Sequence, residues 1–130
     1  HDVQGLGEKE RIFGLEVNFR PPGGFCPDLM NYAGELDVYR LWAEVILKQS
    51  ASYSKLRRYS AGFVGRRNSI KYQYSTKQIQ AMFNEELIEI LYLPEAIAAA
   101  MGDVAIVARF TSPARRVEFF KTALLRKDCL

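Results

Sequence analysis

The stretch STKQIQAMFNEELIEILYLPEAIAAAMGDVAIVARF, residues 75–110, decides the fold class because short helical and extended patterns follow one another along it. It opens on a helix signal. Ser75 and Gln78 have the spacing of a capping box, in which the Ser side chain and the Gln side chain satisfy free backbone groups at a helix start. This pattern predicts a short helix that ends at about Phe83.

Two strands and a second helix follow from the remainder of this stretch. The apolar run 87–93 has the length of a strand, and the run 104–110 is both apolar and rich in β-branched residues. Pro94 suits the first turn of a helix, and a glycine commonly ends one. We therefore expect a helix between the strands that runs to Met101 and stops at Gly102.

On the carboxy-terminal side, Ser112 and Pro113 predict the start of a last helix. Its apolar stripe consists of Val117, Phe119, Phe120, Ala123 and Leu124. On the amino-terminal side, 57–64 and 70–74 resemble the two arms of a hairpin around the turn 65–69.

Residues 28–47 have a helical pattern in two pieces, interrupted near Gly34. Asp37 is the expected N-cap of the second piece, whose apolar stripe we expect in the core; it comprises Val38, Leu41, Trp42, Val45 and Ile46. The small polar run 49–54 is the best linker. We therefore predict two units, 1–50 and 51–130.

These elements, about five strands and five helical pieces with the strand at 11–20 discussed below, predict an α+β fold with a mixed or antiparallel sheet and packed helices. At 130 residues and 48% hydrophobic content the chain can bury one modest core. A net charge of +3 is too close to balance to indicate a nucleic-acid partner by itself. No apolar run approaches the ~20 residues of a membrane span, and we expect no membrane partner.

The two cysteines, Cys26 and Cys129, lie far apart and lack metal-ligand spacing. Free thiols and a polar amino terminus without a signal peptide favour the cytoplasm.

Residues 11–20 alternate strictly between apolar and polar, which predicts a strand. Glu16, Asn18 and Arg20 then leave the same face. Carboxylate and amide oxygens are ligands that Mg²⁺ accepts, and a guanidinium can hold a carboxylate or phosphate by two parallel hydrogen bonds. The alternation by itself is also what the solvent-facing side of any strand shows, so the following loop matters.

That loop is Pro-Pro-Gly-Gly at 21–24, in which the prolines restrict the chain and Gly23 and Gly24 allow a ligand to approach the backbone. The string GLEVNFRPPGG, residues 14–24, resembles the late metal-binding motif of the ATP-grasp superfamily, Glu-x-Asn-x-Arg followed by a glycine-containing loop. The likeness is to the branch around biotin carboxylase and the large subunit of carbamoyl-phosphate synthase. It is specific over about residues 10–47 and weaker beyond position 54.

The resemblance implies a role for each matched residue. Glu16 would bridge magnesium ions at the ATP phosphates, Asn18 would ligate one of them, and Arg20 would hold the acyl phosphate or its parent carboxylate. Gly23 and Gly24 would lie against the nucleotide. The implied reaction is ATP-dependent ligation of a carboxylate or bicarbonate to an amine or another nucleophile.

The sequence departs from the family because it carries neither the phosphate-covering loop nor the lysine-bearing strands, which lie upstream in such enzymes. We therefore expect the carboxy-terminal segment of a longer enzyme, inactive alone, whose partner is the preceding part. A strand at 11–20 without its sheet neighbours is also expected to drive self-association.

A competing hypothesis is a small basic module that binds nucleic acid through residues 53–74. This stretch holds six basic residues and no acidic one, interleaved with Tyr53, Tyr59, Tyr72 and Tyr74. A solvated hairpin with cross-strand aromatic pairs has the same composition, and we favour it over nucleic acid. A third reading is that Arg66 and Arg67 contact an anionic ligand or the preceding part of the enzyme.

Overall fold

A computed structural model describes residue 20 and residues 22–48, 50–53 and 58–127. Within these ranges the chain forms five helices and three strands. The helices are α1 (Cys26–Gly34), α2 (Val38–Lys48), α3 (Thr76–Met82), α4 (Glu95–Met101) and α5 (Pro113–Leu124). The strands are β1 (Ser60–Arg66), β2 (Leu87–Tyr92) and β3 (Val104–Phe110).

The three strands of the described residues form one antiparallel sheet in the order β1-β3-β2, so the last strand lies in the centre. Val64 of β1 pairs with Ile106 of β3, and Ile90 of β2 pairs with the same residue from the other side. A register shift between Leu87 and Glu89 interrupts the second ladder. The apolar run 104–110 suits this central position, because both of its faces are covered.

The main core lies between one face of the sheet and helices α3 and α5. Phe119 of α5 is fully buried at its centre, with ring centroids 5.2 Å from Phe83, 5.3 Å from Phe110 and 5.5 Å from Phe120. The core cluster consists of Val64, Ile79, Phe83, Val104, Ile106, Ala108, Phe110, Phe119 and Ala123. Alternation along β1 and β3 explains why the even-numbered residues of these strands meet there.

Helix α1 packs on the opposite face of the sheet. The ring of Phe25, at the start of this helix, lies 5.0 Å from the ring of Phe63 in β1. The Tyr32 hydroxyl donates a hydrogen bond to Glu89 Oε1 of β2 at 3.4 Å. The described structure is therefore layered, with helices on both faces of a small sheet.

The α+β fold is confirmed, and most predicted elements of residues 75–124 are present. Ser75 and Gln78 form both halves of the capping box at the start of α3. Gly102 follows α4 with a φ of 92°, and Ser112 accepts a hydrogen bond from the Arg115 backbone at the start of α5. Helix caps depend on hydrogen bonds between residues a few positions apart, so these helix starts and stops can be predicted from the sequence.

The hairpin predicted from 57–64 and 70–74 is wrong. Ser60–Arg66 is a strand, but its neighbour is β3, with Ser60 opposite Phe110. Residues 70–74 form no strand, and Tyr72 makes only an isolated bridge with Arg126. The more apolar β3 displaced the local partner, because pairing with it buries both strands against α5.

The two-piece helix at 28–47 is confirmed, and Asp37 Oδ1 accepts a hydrogen bond from the Arg40 backbone at 2.9 Å as the predicted cap. The placement of its second stripe in the core is wrong. No residue of α2 is buried, and Ile46 is 64% exposed. The sequence period predicted the helix correctly, but α2 packs mainly against α1 and keeps no residue buried.

The strand predicted at 11–20 lies outside the described residues except for Arg20. The division into units 1–50 and 51–130 stays a prediction, although contacts such as Phe25 with Phe63 join residues on both sides of position 50. A search of the described helices finds none with the length and apolar character needed to cross a bilayer.

Candidate functional site

Of the residues implied by the ATP-grasp resemblance, Glu16 and Asn18 lie outside the described residues. Arg20 is exposed at a bend. Gly23 and Gly24 are exposed in the loop that leads into α1. Within the described ranges no group of three His, Cys, Asp or Glu side chains could hold a metal ion. The magnesium ligands therefore stay a prediction.

The glycine corner itself has the geometry of a sharp turn. Gly24 has a φ of 62°, in the left-handed region that favours glycine. A Cβ at this position would lie 3.3 Å from Cε of Met101, whereas a Cβ at Gly23 would meet nothing within 4 Å. The corner thus leaves the backbone at Gly23 open on the surface and passes directly into α1.

A second candidate site lies at the end of β1. A cavity of about 400 Å³ opens there between the strand end, the segment 70–76 and the carboxy-terminal residues after α5. Its described lining includes Arg66, Arg67, Lys127 and the hydroxyl-bearing residues Tyr72, Ser75 and Thr76, and no acidic residue is among them.

Arg66 is the buried one of the three basic residues that line the described part of this cavity. It is only 6% exposed, although arginine is rarely buried without a carboxylate. Its Nη2 donates to the Tyr74 carbonyl at 2.6 Å, and its guanidinium carbon lies 4.0 Å from the centre of the Tyr72 ring. Its Nη1 is buried and has no hydrogen-bond partner among the described residues.

Burial lowers the pKa of the Arg66 guanidinium, and the neighbouring Tyr72 acts in the opposite direction. The group nevertheless stays charged, since arginine is not deprotonated in proteins. The site therefore holds a desolvated positive charge whose Nη1 nitrogen has no hydrogen-bond partner among the described residues.

The strand register places Arg66 here. Arg66 is paired with Val104, and the alternation of β1 puts it on the same face as Val64. Its carbonyl accepts a hydrogen bond from the Asp103 backbone at 2.8 Å, which fixes the end of the strand. The guanidinium thus emerges where the core ends and the cavity begins.

Backbone hydrogen bonds bring the far end of the chain to the same cavity. The Gln73 N–H donates to the Leu125 carbonyl at 2.8 Å, and the Lys127 N–H donates to the Lys71 carbonyl at 3.0 Å. These bonds place Lys127 beside the segment that carries Tyr72. No sequence pattern predicts this pairing, since the two segments are more than fifty positions apart.

Arg67 has a different role from Arg66. Its guanidinium donates to the carbonyls of Ala98, at 3.4 Å, and Ala99, at 2.8 Å, in α4. The adjacent Asn68 N–H donates to Asp103 Oδ2 at 2.7 Å. The third reading of the sequence made both arginines contacts of an anionic ligand or of the preceding part of the enzyme, and both line the cavity, but the Arg67 guanidinium also bonds α4. Gly62, Val64 and Arg66 are buried at alternate positions of β1, and this alternation is the sequence signal that distinguishes Arg66 from Arg67.

The tyrosines of the basic stretch 53–74 are mostly engaged within the protein. Arg109 lies 4.4 Å above the Tyr59 ring, Arg66 lies against Tyr72, and Tyr74 packs against the core cluster. Tyr53 is 55% exposed. An interface that stacks successive bases needs free ring faces, and this stretch presents few.

In comparisons with known proteins, no family model matches this chain, and neither a curated protein nor a solved structure matches it.

Proposed function

We propose that this chain is the carboxy-terminal part of an ATP-grasp type ligase that joins a carboxylate or bicarbonate to a nucleophile. The observation that carries the proposal is the spacing of Glu16, Asn18 and Arg20 directly before a Pro-Pro-Gly-Gly corner. The three residue types supply a carboxylate, an amide oxygen and a guanidinium at alternate positions, where a strand would present them together.

Two structural features support the proposal. Arg20 is exposed immediately before the corner, and Gly24 takes a positive φ there. The corner passes into α1, which Phe25 anchors to the sheet through its contact with Phe63. In the proposed site, the Arg20 guanidinium suits the orientation of a carboxylate or phosphate by two parallel hydrogen bonds.

In this proposal Glu16 and Asn18 hold magnesium, which would neutralise charge on the transferred phosphoryl group of ATP. Arg20 orients the acid and its acyl phosphate by two parallel hydrogen bonds. The backbone at Gly23 and Gly24 lies against the nucleotide. A preceding segment of the same enzyme supplies the remaining nucleotide contacts, and the 130-residue chain alone is inactive.

The test uses the full-length enzyme encoded by the gene and measures ADP release that depends on a carboxylate or bicarbonate. Glu16→Gln is expected to lower turnover by at least ~100-fold, because magnesium positioning is lost. Glu85→Gln removes one exposed carboxylate elsewhere and serves as the control, with turnover unchanged. Equal turnover of the Glu16 variant and the wild type would remove Glu16 from the site.

We propose a cytoplasmic location for this enzyme, since ATP is its substrate and Cys26 is a free, exposed thiol. Self-association of the 130-residue chain stays a prediction. Light scattering at micromolar concentration measures it, and a monodisperse folded monomer would contradict it.

The nucleic-acid module is the alternative. It requires affinity for a fluorescent single-stranded oligonucleotide that falls steeply with salt. The ligase proposal expects weak binding, because the rings of Tyr59 and Tyr72 already contact arginines.

A further inference from the structure

We propose that the cavity at the end of β1 is a binding site for a small phosphorylated molecule, with Arg66 as the anchor of its phosphoryl group. The described residues that line the cavity belong to the segment between Arg66 and Gln78, together with Val104 and Lys127, and Arg20, Gly23 and Gly24 are not among them. The inference therefore goes beyond the ligase site and does not rest on it.

The first argument is the state of the Arg66 guanidinium. One of its terminal nitrogens is satisfied by the Tyr74 carbonyl, while the buried Nη1 has no partner among the described residues. Leaving a buried charged donor unsatisfied is strongly unfavourable, so such groups in proteins commonly mark a ligand contact. An oxyanion would supply both the missing acceptor and the missing negative charge.

The second argument is the charge of the surroundings. Arg67 and Lys127 also line the cavity, and no aspartate or glutamate is among the described residues that line it. The Asp103 carboxylate accepts from the Asn68 backbone at 2.7 Å, and Arg67 is bonded to α4. Three cations without a carboxylate among the described lining residues favour a doubly charged group, which a phosphate monoester is near neutral pH.

The third argument concerns size and the remaining polar groups. About 400 Å³ lies within the range of small-ligand pockets and is too small for a folded partner. Thr76 and Gln73 line the walls and can donate or accept hydrogen bonds. Because Nη1 is covered, a phosphoryl group in the cavity bonds this nitrogen only after the covering side chains move aside.

Calorimetric titration of the 130-residue chain with inorganic phosphate and with a nucleoside monophosphate, at constant ionic strength and without magnesium, tests the proposal. Arg66→Lys keeps the charge but loses the planar fork, and we expect about tenfold weaker binding. Lys127 is exposed, and Lys127→Gln is expected to weaken binding about threefold without affecting folding.

The matched control is Arg109→Lys. Arg109 also lies over a tyrosine ring but lines no part of the cavity, so its replacement is expected to leave phosphate affinity within about twofold. If circular dichroism shows that Arg66→Lys does not fold, the phosphate affinities of Lys127→Gln and Thr76→Val test the cavity instead. Stronger binding of the monophosphate than of phosphate would identify a nucleotide-like ligand, and equal binding would identify the phosphoryl group alone.

Three results would overturn the proposal. The first is no saturable binding of either probe at millimolar concentration. The second is an equal loss of affinity in the Arg66 and Arg109 variants, which would indicate general charge attraction. The third is preference for an oligonucleotide. Glu16→Gln is expected to abolish ligation in the full-length enzyme while phosphate binding persists, so the two proposals fail separately.

Discussion

Replacing Gly65 by alanine tests the packing that holds the end of β1. A Cβ at this position would lie 3.0 Å from the carbonyl carbon of Met101 and closer still to its carbonyl oxygen. Gly102, the residue after Met101, lies equally close to β1, since a Cβ at Gly102 would lie 2.9 Å from the Gly65 carbonyl carbon. The two glycines allow the end of α4 to touch the strand.

Two opposing effects set the size of the change. Alanine reduces the freedom of the unfolded chain, which stabilises the protein by about 0.4–1 kcal/mol. The clash is with backbone rather than with the end of a flexible side chain, so overpacking is expected at the upper end of its usual range, about 3 kcal/mol. The net loss is then about 2 kcal/mol, which for a chain of this length lowers the melting temperature by roughly 8 °C.

Thermal and urea unfolding of Gly65→Ala, followed by circular dichroism, measure this loss. The control is Gly23→Ala, because a Cβ there meets nothing within 4 Å and the entropy effect acts alone. The control is expected to be unchanged or up to about 1 kcal/mol more stable. A Gly65→Ala variant as stable as the control would refute the close approach of α4 and β1.

Three further predictions concern other parts of the fold. Phe119→Ala is expected to lower the free energy of unfolding in urea by about 4 kcal/mol, because a fully buried ring is lost. The control is Val117→Ala, since the Val117 side chain is in the same helix and is 46% exposed. Ser75→Ala removes a capping box and is expected to lose about 1 kcal/mol in the same assay. Desolvation, followed by the charge of Glu89, raises the pKa of Tyr32. The protonated Tyr32 hydroxyl therefore contributes stability that is fully present below its unfolded pKa of about 10. This contribution is lost as the pH rises through the folded pKa. Unfolding midpoints should therefore fall more steeply above pH ~10 in the wild type than in Tyr32→Phe.

Local signals predicted helix starts and stops well. The capping box at Ser75, the cap at Asp37 and the stop at Gly102 each depend on a few neighbouring residues, and all three are present. The helix at 28–47 was likewise recognised from its period and its break. Such features follow from hydrogen bonds that close within one turn.

Strand pairing was harder to predict. The turn-like residues 65–69 suggested a hairpin, yet β1 pairs with β3, whose paired residues lie 38 to 50 positions further along the chain. Both candidate partners satisfy the same local rule, and only the burial obtained in the assembled sheet distinguishes them.

The two candidate sites differ in the same respect. The motif at Glu16, Asn18 and Arg20 can be recognised in the sequence because its residues lie within five positions of one another. The cavity around Arg66 is not, because Lys127 reaches it through a backbone pairing with Lys71. Sequence reasoning named Arg66 but gave Arg67 the same role, and only the direction of each guanidinium separates the two.

The amino-acid sequence alone determined the α+β class and most helix starts and stops, since period and caps act over short range. The tertiary structure alone decided the strand order, the exposure of α2 and the burial of Arg66. Those properties depend on which surfaces meet, and the free energy of burial is shared among segments far apart in the chain.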